Sequence, residues 1–264
     1  MKKRLDVLVA EQEGVSRAKA QALILAGQIL VEGKMADKAG TEIDEKSEIK
    51  VKEKFPYVSR GALKLEAAAR EFKIDFKGKI VCDVGASTGG FTDFALQNGA
   101  KKVYAIDTGY GQIAGKLRDD SRVVLMERTN IKKVETLPEQ VDIFVIDVSF
   151  ISLKQVLPAV KKIITTCHSR EGGNLYKKEV DPRVKPEDDR YGVTIVALIK
   201  PQFEVGKEIA NKTKGIIKDE KVQLKVVEEI GQFAEKIGCK VQGLTESPIT
   251  GAKGNKEFLV WLKS

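Results

Sequence analysis

The chain has 264 residues, 42% hydrophobic and 32% charged, a composition that excludes a disordered polymer and allows one or two globular domains. Apolar stretches such as Ile195–Ile199 are far shorter than the ~18 residues of a membrane span, and the amino terminus carries no secretory pattern. A net charge of +8 favours an anionic partner, nucleic acid first, while three separated cysteines (Cys82, Cys167, Cys239) and one histidine (His168) exclude a disulfide framework, leave no metal ligand set and suit the reducing cytoplasm.

Residues 1–54 hold 11 basic and 10 acidic residues and read as a small α+β unit. Ser16 is placed to cap a helix over Arg17–Ala26, which Gly27 stops. Ile29-Leu30-Val31 and Ile49-Lys50-Val51 read as strands, with a turn at Glu32-Gly33-Lys34. Arg17 and Lys19 fall at the helix start and Lys34 at the turn, positions suited to contacts with an anion. Lys52–Pro56 reads as a linker, which sets a first domain at 1–54 and a second at 55–264.

In the second domain Ser59 is predicted to cap a helix carrying Leu63, Ala67 and Arg70. Short apolar strands follow at Ile80–Asp83, Val103–Asp107, Val123–Met126, Ile143–Asp147 and Thr194–Lys200, with Phe258–Leu262 closing the chain. Helical segments between them predict a parallel α/β sheet covered on both faces. His168–Arg190 breaks the rhythm, with Gly172-Gly173, two prolines and no apolar period. It resembles a translated mobile repeat element and is expected to be a disordered surface insertion without chemistry.

A glycine loop follows the first of these strands and opens a helix at Phe91: Asp83-Val84-Gly85-Ala86-Ser87-Thr88-Gly89-Gly90. It matches neither G-x-G-x-x-G nor the Walker pattern, so it is not built for a dinucleotide pyrophosphate or a triphosphate. Asp83 suits the amino group of a cationic ligand. Asp107 ends the next strand, 22 residues after Gly85, where an acid accepts from ribose hydroxyls in nucleoside-binding α/β folds. Together these residues read as a pocket for S-adenosylmethionine. Asn130 is placed either to meet the adenine edge or to make a turn.

Asp147 and Lys200 end two fully apolar strands, on the rim where open α/β sheets bind ligands. A partly desolvated lysine there could act as a base, while a strand-end charge that simply reaches water needs no function. Here the residues carry a resemblance. Lys64 in Ser59–Leu65, Asp147 in Asp147–Leu153, Lys200 in Lys200–Glu204 and Glu257 in Gly254–Phe258 resemble the Lys-Asp-Lys-Glu tetrad of FtsJ-like ribose 2′-O-methyltransferases. Asp83–Thr92, Tyr110-Gly111-Gln112 and Glu127–Asn130 resemble the TlyA or hemolysin A branch, whose substrate is ribosomal RNA. Arg4-Leu5-Asp6, Ser16-Arg17 and Gly33-Lys34 resemble the RNA-binding domain first seen in ribosomal small-subunit protein four.

The resemblance implies a Rossmann-like class I methyltransferase sheet behind that small domain. It implies a metal-free methyl transfer to a ribose 2′-hydroxyl of ribosomal RNA, expected at a cytidine. Lys200 would accept the proton or stabilise the alkoxide, Asp147 and Lys64 would set its charge state and orient the ribose, and Glu257 would orient one of the lysines by an ion pair. The cofactor would lie against Asp83, Gly85, Ala86, Ser87, Thr88, Gly89, Gly90, Asp107 and Asn130, and RNA against Arg4, Ser16, Arg17, Lys19 and Lys34. Ribosomal RNA or the ribosomal subunits are the expected partners, with no membrane and no obligate protein partner. The alternatives are a non-catalytic RNA-binding protein, a membrane-active hemolysin and a methyltransferase acting on protein or small molecules.

Overall fold

The apolar runs between residues 80 and 200 form strands whose alternation sends side chains into two separate cores. The computed structural model describes residues 2–25, 27–51, 55–170, 192–206, 209–210 and 213–264. The chain divides into two units, Met1–Pro56 and Tyr57–Ser264.

The first unit runs β1 (Lys2–Arg4), α1 (Leu5–Glu13), α2 (Arg17–Leu25), β2 (Ile29–Val31), β3 (Lys34–Ala36), β4 (Glu42–Asp44) and β5 (Ile49–Val51). β1 pairs antiparallel with β4, and β2 lies antiparallel between β3 and β5. Leu5, Leu8 and Val9 of α1 and Ala20 and Ile24 of α2 bury against Ile29 and Ile49. The predicted α2, β2 and β5 are present. α1 and the strands β1, β3 and β4 add to the expectation; those strands are largely exposed, whereas β2 and β5 each bury an isoleucine. Ala26 and the linker residues 52–54 lie outside the described residues.

The second unit continues with α3 (Ala62–Phe72), β6 (Ile80–Val84), α4 (Gly90–Gln97), β7 (Lys102–Ile106), α5 (Gly115–Arg118), β8 (Val123–Met126), β9 (Ile143–Ile146), α6 (Leu153–Arg170), β10 (Thr194–Ile199), α7 (Pro201–Glu204), α8 (Glu220–Lys236), β11 (Lys240–Glu246) and β12 (Phe258–Lys263). Its sheet has the order β11-β12-β10-β9-β6-β7-β8. β6 to β10 are parallel, but β12 runs antiparallel to both neighbours, which corrects the all-parallel expectation. β11 escaped the sequence reading because its residues are largely polar and exposed. α3 begins after Gly61, and Ser59 contributes its backbone carbonyl to Ala62 rather than the predicted side-chain cap.

Alternate strand residues face opposite helices. Cys82, Tyr104, Phe144 and Ile195 pack with α6 and α8. Val81, Val103, Val145 and Val196 pack with α3 and α4. α6 extends through Arg170, so the first three residues of the predicted 168–190 insertion are helical. The remainder of that insertion lies outside the described residues.

The strand order reverses between β6 and β9, which are neighbours although 58 residues separate Val84 from Ile143. The Asp147 amide donates to the Val84 carbonyl at 3.0 Å, bringing the carboxyl ends of both strands together. Such a reversal leaves a crevice above the strand ends.

Candidate active site

Four charged side chains from distant parts of the second unit meet at this crevice. Lys200 Nζ lies 2.6 Å from Asp147 Oδ1, and Lys64 Nζ lies 3.7 Å from Asp147 Oδ2 and 2.7 Å from Glu257 Oε2. The result is a line of alternating charge, Glu257–Lys64–Asp147–Lys200. Lys64 and Glu257 are buried, whereas the Asp147 side chain retains 20% exposure. Two acids and two bases cancel, which lowers the cost of burying them. Parallel pairing of β9 with β10 sets Asp147 beside Lys200, α3 brings Lys64, and Glu257 directly precedes β12. Of the two lysines, Glu257 pairs with Lys64.

The glycine loop passes beside this line. Gly85 has φ +88°, and a Cβ there would stand 2.5 Å from the Asp147 carbonyl oxygen. Gly89 has φ +94°, and its Cβ would strike Leu117 at 2.3 Å. Both positions need glycine for backbone shape and for space. Ala86 is buried, Ser87 and Thr88 are exposed, and Gly90 begins α4. Asp107 binds both pocket loops, its carboxylate accepting from the Ser87 amide at 2.8 Å and the Gly109 amide at 2.6 Å. Glu127 holds the second loop by accepting from the Gly111 amide at 2.7 Å, with Arg118 2.9 Å away. Tyr110 is exposed, and the Arg128 guanidinium lies 4.2 Å over its ring.

Asp83 lies beneath the loop and is completely buried. Its Oδ2 accepts from both the amide and the hydroxyl of Thr92, fastening the strand end to α4, and its Oδ1 has no partner among the described residues. Burial pushes its carboxyl up to about 7 against the opposing Thr92 bonds, with the charges of Asp147 and Asp107 adding to the rise. Asn130 accepts from the Lys132 amide through Oδ1 and so caps the short turn Ile131–Lys133. The turn reading of Asn130 therefore holds for that oxygen. The loop from Asp83 to Gly90 contains one acid and no cation. This donor set fits a cationic nucleoside ligand and not a polyphosphate.

Ser149, Gln202 and Glu204 have no assigned role in the sequence reading, and Phe150 is open there between a substrate contact and a core residue. Ser149 Oγ accepts from Lys200 Nζ at 2.9 Å. Glu204 accepts from the Ser152 hydroxyl at 2.5 Å and the Leu153 amide at 2.7 Å, tying the start of α6 to α7 across about 50 residues of sequence. Burial raises the Glu204 carboxyl above its usual range. Gln202 donates to Glu257 Oε1 at 3.5 Å, and a Cβ on Gly251 would stand 1.9 Å from that same oxygen. Phe150, next to Ser149, is 91% exposed with φ +63°, its ring 5.0 Å from that of Phe203.

In the first unit, Arg4 and Arg17 converge on Asp6. Ser16 Oγ accepts from the Lys19 amide at 3.3 Å, capping α2 as expected. Lys19 and Lys34 are exposed.

Comparison with known proteins agrees with both units. The model of the FtsJ-like methyltransferase family matches residues 57–264, and that of the S4 domain matches residues 3–49. The 16S/23S rRNA (cytidine-2′-O)-methyltransferase TlyA of Mycobacterium tuberculosis is 37% identical over 259 residues, spanning 96% of this chain and 87% of that protein. Hemolysin A of Brachyspira hyodysenteriae is 40% identical over 260 residues, spanning 97% and 98%. The solved structure of a Streptococcus thermophilus protein, provisionally named a hemolysin, superposes with a TM-score of 0.68 at 41% identity, covering 100% of this chain and 88% of that one. With its switch-point crevice, glycine loop and line of four charges, the chain belongs to the FtsJ-like methyltransferase family, and an S4 domain precedes its methyltransferase unit.

Proposed function

We propose that this protein transfers the methyl group of S-adenosylmethionine to a ribose 2′-hydroxyl of ribosomal RNA, at a cytidine. The observation that carries the reading is the line Glu257–Lys64–Asp147–Lys200 beside a glycine loop that holds one acid and no cation. When bound, S-adenosylmethionine supplies a methyl group already activated by its sulfonium.

Asp107 would accept from the ribose hydroxyls of the cofactor, and the unpartnered Oδ1 of Asp83 would face its amino group. The backbone of Gly85–Gly90 would lie along the ligand where side chains would intrude. Asn130, whose Oδ1 is spent on the cap, keeps its amide N–H groups for the adenine edge. At the other side of the crevice, Lys200 pairs its charge with Asp147 and donates to Ser149 Oγ. A further N–H meets the RNA 2′-oxygen and stabilises it as its proton passes to water. Asp147 fixes Lys200, Lys64 fixes Asp147, and Glu257 fixes Lys64, so that the acceptor oxygen is aligned behind the methyl carbon. Alignment of this kind is worth up to ~7–11 kcal/mol of barrier. The exposed ring of Phe150 offers an apolar face for the target base near Lys200. Arg4, Ser16, Arg17, Lys19 and Lys34 of the first unit hold the RNA backbone.

Lys200→Ala is expected to lower methyl transfer at least ~100-fold while cofactor affinity stays within a few-fold of wild type. Radiolabel incorporation and equilibrium cofactor binding on the same preparation measure both. Undiminished turnover would contradict the role given to Lys200.

A further inference from the structure

Asp6 is a charged side chain with no solvent exposure in a unit that has a small core. Its carboxylate collects four hydrogen bonds from three side chains. Arg4 donates through Nε to Oδ1 at 3.0 Å and through Nη2 to Oδ2 at 2.9 Å. Arg17 Nε donates to Oδ2 at 3.0 Å, and Gln21 Nε2 donates to the same oxygen at 2.8 Å. The two arginines hold this carboxyl below its usual range, and Asp6 in turn raises Arg4.

Burying a carboxylate is costly, and apolar side chains of like volume serve stability at least as well. The arrangement achieves something that apolar packing would not. Two guanidinium groups repel each other, yet here both bond one oxygen and stand side by side. The trio keeps one net positive charge. The arginine side chains remain 45% and 54% exposed. Arg4 Nη1 and both Nη atoms of Arg17 donate to nothing among the described residues. Gly40 forms part of the seat, since a Cβ there would press on Arg4 Nη1 at 3.3 Å. Its backbone is not in the left-handed region, so the missing side chain answers to space and not to conformation.

We propose that Asp6 is a positioning residue for RNA binding, holding Arg4 and Arg17 as a two-pronged fork for the phosphodiester backbone. The free N–H groups of paired guanidiniums suit phosphate oxygens, which accept them in pairs. The proposal rests on the reading that this unit binds RNA. Its specific content is that a buried acid promotes the binding of an anion.

That content gives the test an opposite sign from simple electrostatics. Asp6→Asn adds one net positive charge, which by itself tightens RNA binding and steepens its salt dependence. With the fork lost, affinity of the full-length protein for a ribosomal RNA fragment falls at least ~10-fold, and the slope of log affinity against log salt shrinks by about 1–2. Gly40→Val displaces Arg4 with no change of charge, and shrinks the slope by about 1. Circular dichroism and protease resistance of the first unit report whether each variant is folded there. If Asp6→Asn unfolds the unit, Gly40→Val decides alone. Tighter or unchanged binding by the folded variants overturns the proposal. Arg17→Glu separates the two levels: loss of binding there, with wild-type binding in Asp6→Asn and Gly40→Val, removes the fork and leaves the RNA surface. Wild-type binding in Arg17→Glu as well removes both.

Discussion

Asp83 ties the titration of one buried residue to the stability of the folded chain. Its carboxyl is raised from 3.8 to about 7 by burial, while an unfolded chain ionises it near the ordinary value. Between roughly pH 4 and pH 7 the folded protein therefore binds the proton that the unfolded chain has lost, and stability falls as pH rises through that window. Asp83→Asn removes the dependence. Thermal unfolding of the ligand-free variant should gain on wild type at pH 8 relative to pH 5. A cationic ligand meeting Oδ1 favours the ionised form, so wild-type cofactor affinity should rise from pH 6 to pH 8 and the variant's should stay flat. Parallel unfolding and binding profiles in the two proteins would remove Asp83 from the pocket.

The loop between β6 and α4 is an element whose shape depends on missing side chains. Gly85→Ala forces φ +88° on a residue with a Cβ and drives that Cβ against the Asp147 carbonyl. We expect a stability loss of roughly 1–3 kcal/mol and cofactor affinity lowered at least ~10-fold. Calorimetric unfolding and binding titration check both, and a variant with wild-type affinity would contradict the close approach. Much of this element was legible in the chain. Continuous apolar runs become buried parallel strands, so β6 to β10 could be read directly, and the strand ends placed Asp83, Asp107, Asp147 and Lys200 on one rim. Polar β11 gave no such run. Ser149, Gln202 and Glu204 act through partners about 50 residues away, which no local pattern encodes. Arg4 and Arg17 could be seen as basic residues, but their meeting on Asp6 is a product of the folded α1–α2 pair.

Across the whole molecule the net charge is +8, of which residues 1–54 contribute +1, and under the proposed function each of the two units would hold part of the RNA. Thr194–Ala197 keep full register with Ile143–Ile146, the parallel pairing that sets Asp147 beside Lys200 beyond the carboxyl end of β10. Although one relative bears the name hemolysin, no helix among the described residues is long and apolar enough to cross a membrane. The reaction itself is open to assay. The most direct measurement incubates the purified protein with radiolabelled S-adenosylmethionine and separated ribosomal subunits lacking the modification, then maps the product by resistance to alkaline cleavage. Label in RNA and an interrupted alkaline ladder at a single cytidine 2′-oxygen are expected, both lost in Lys200→Ala. Label on a base or on protein, or bound cofactor without any transfer to either subunit, would contradict the proposed reaction.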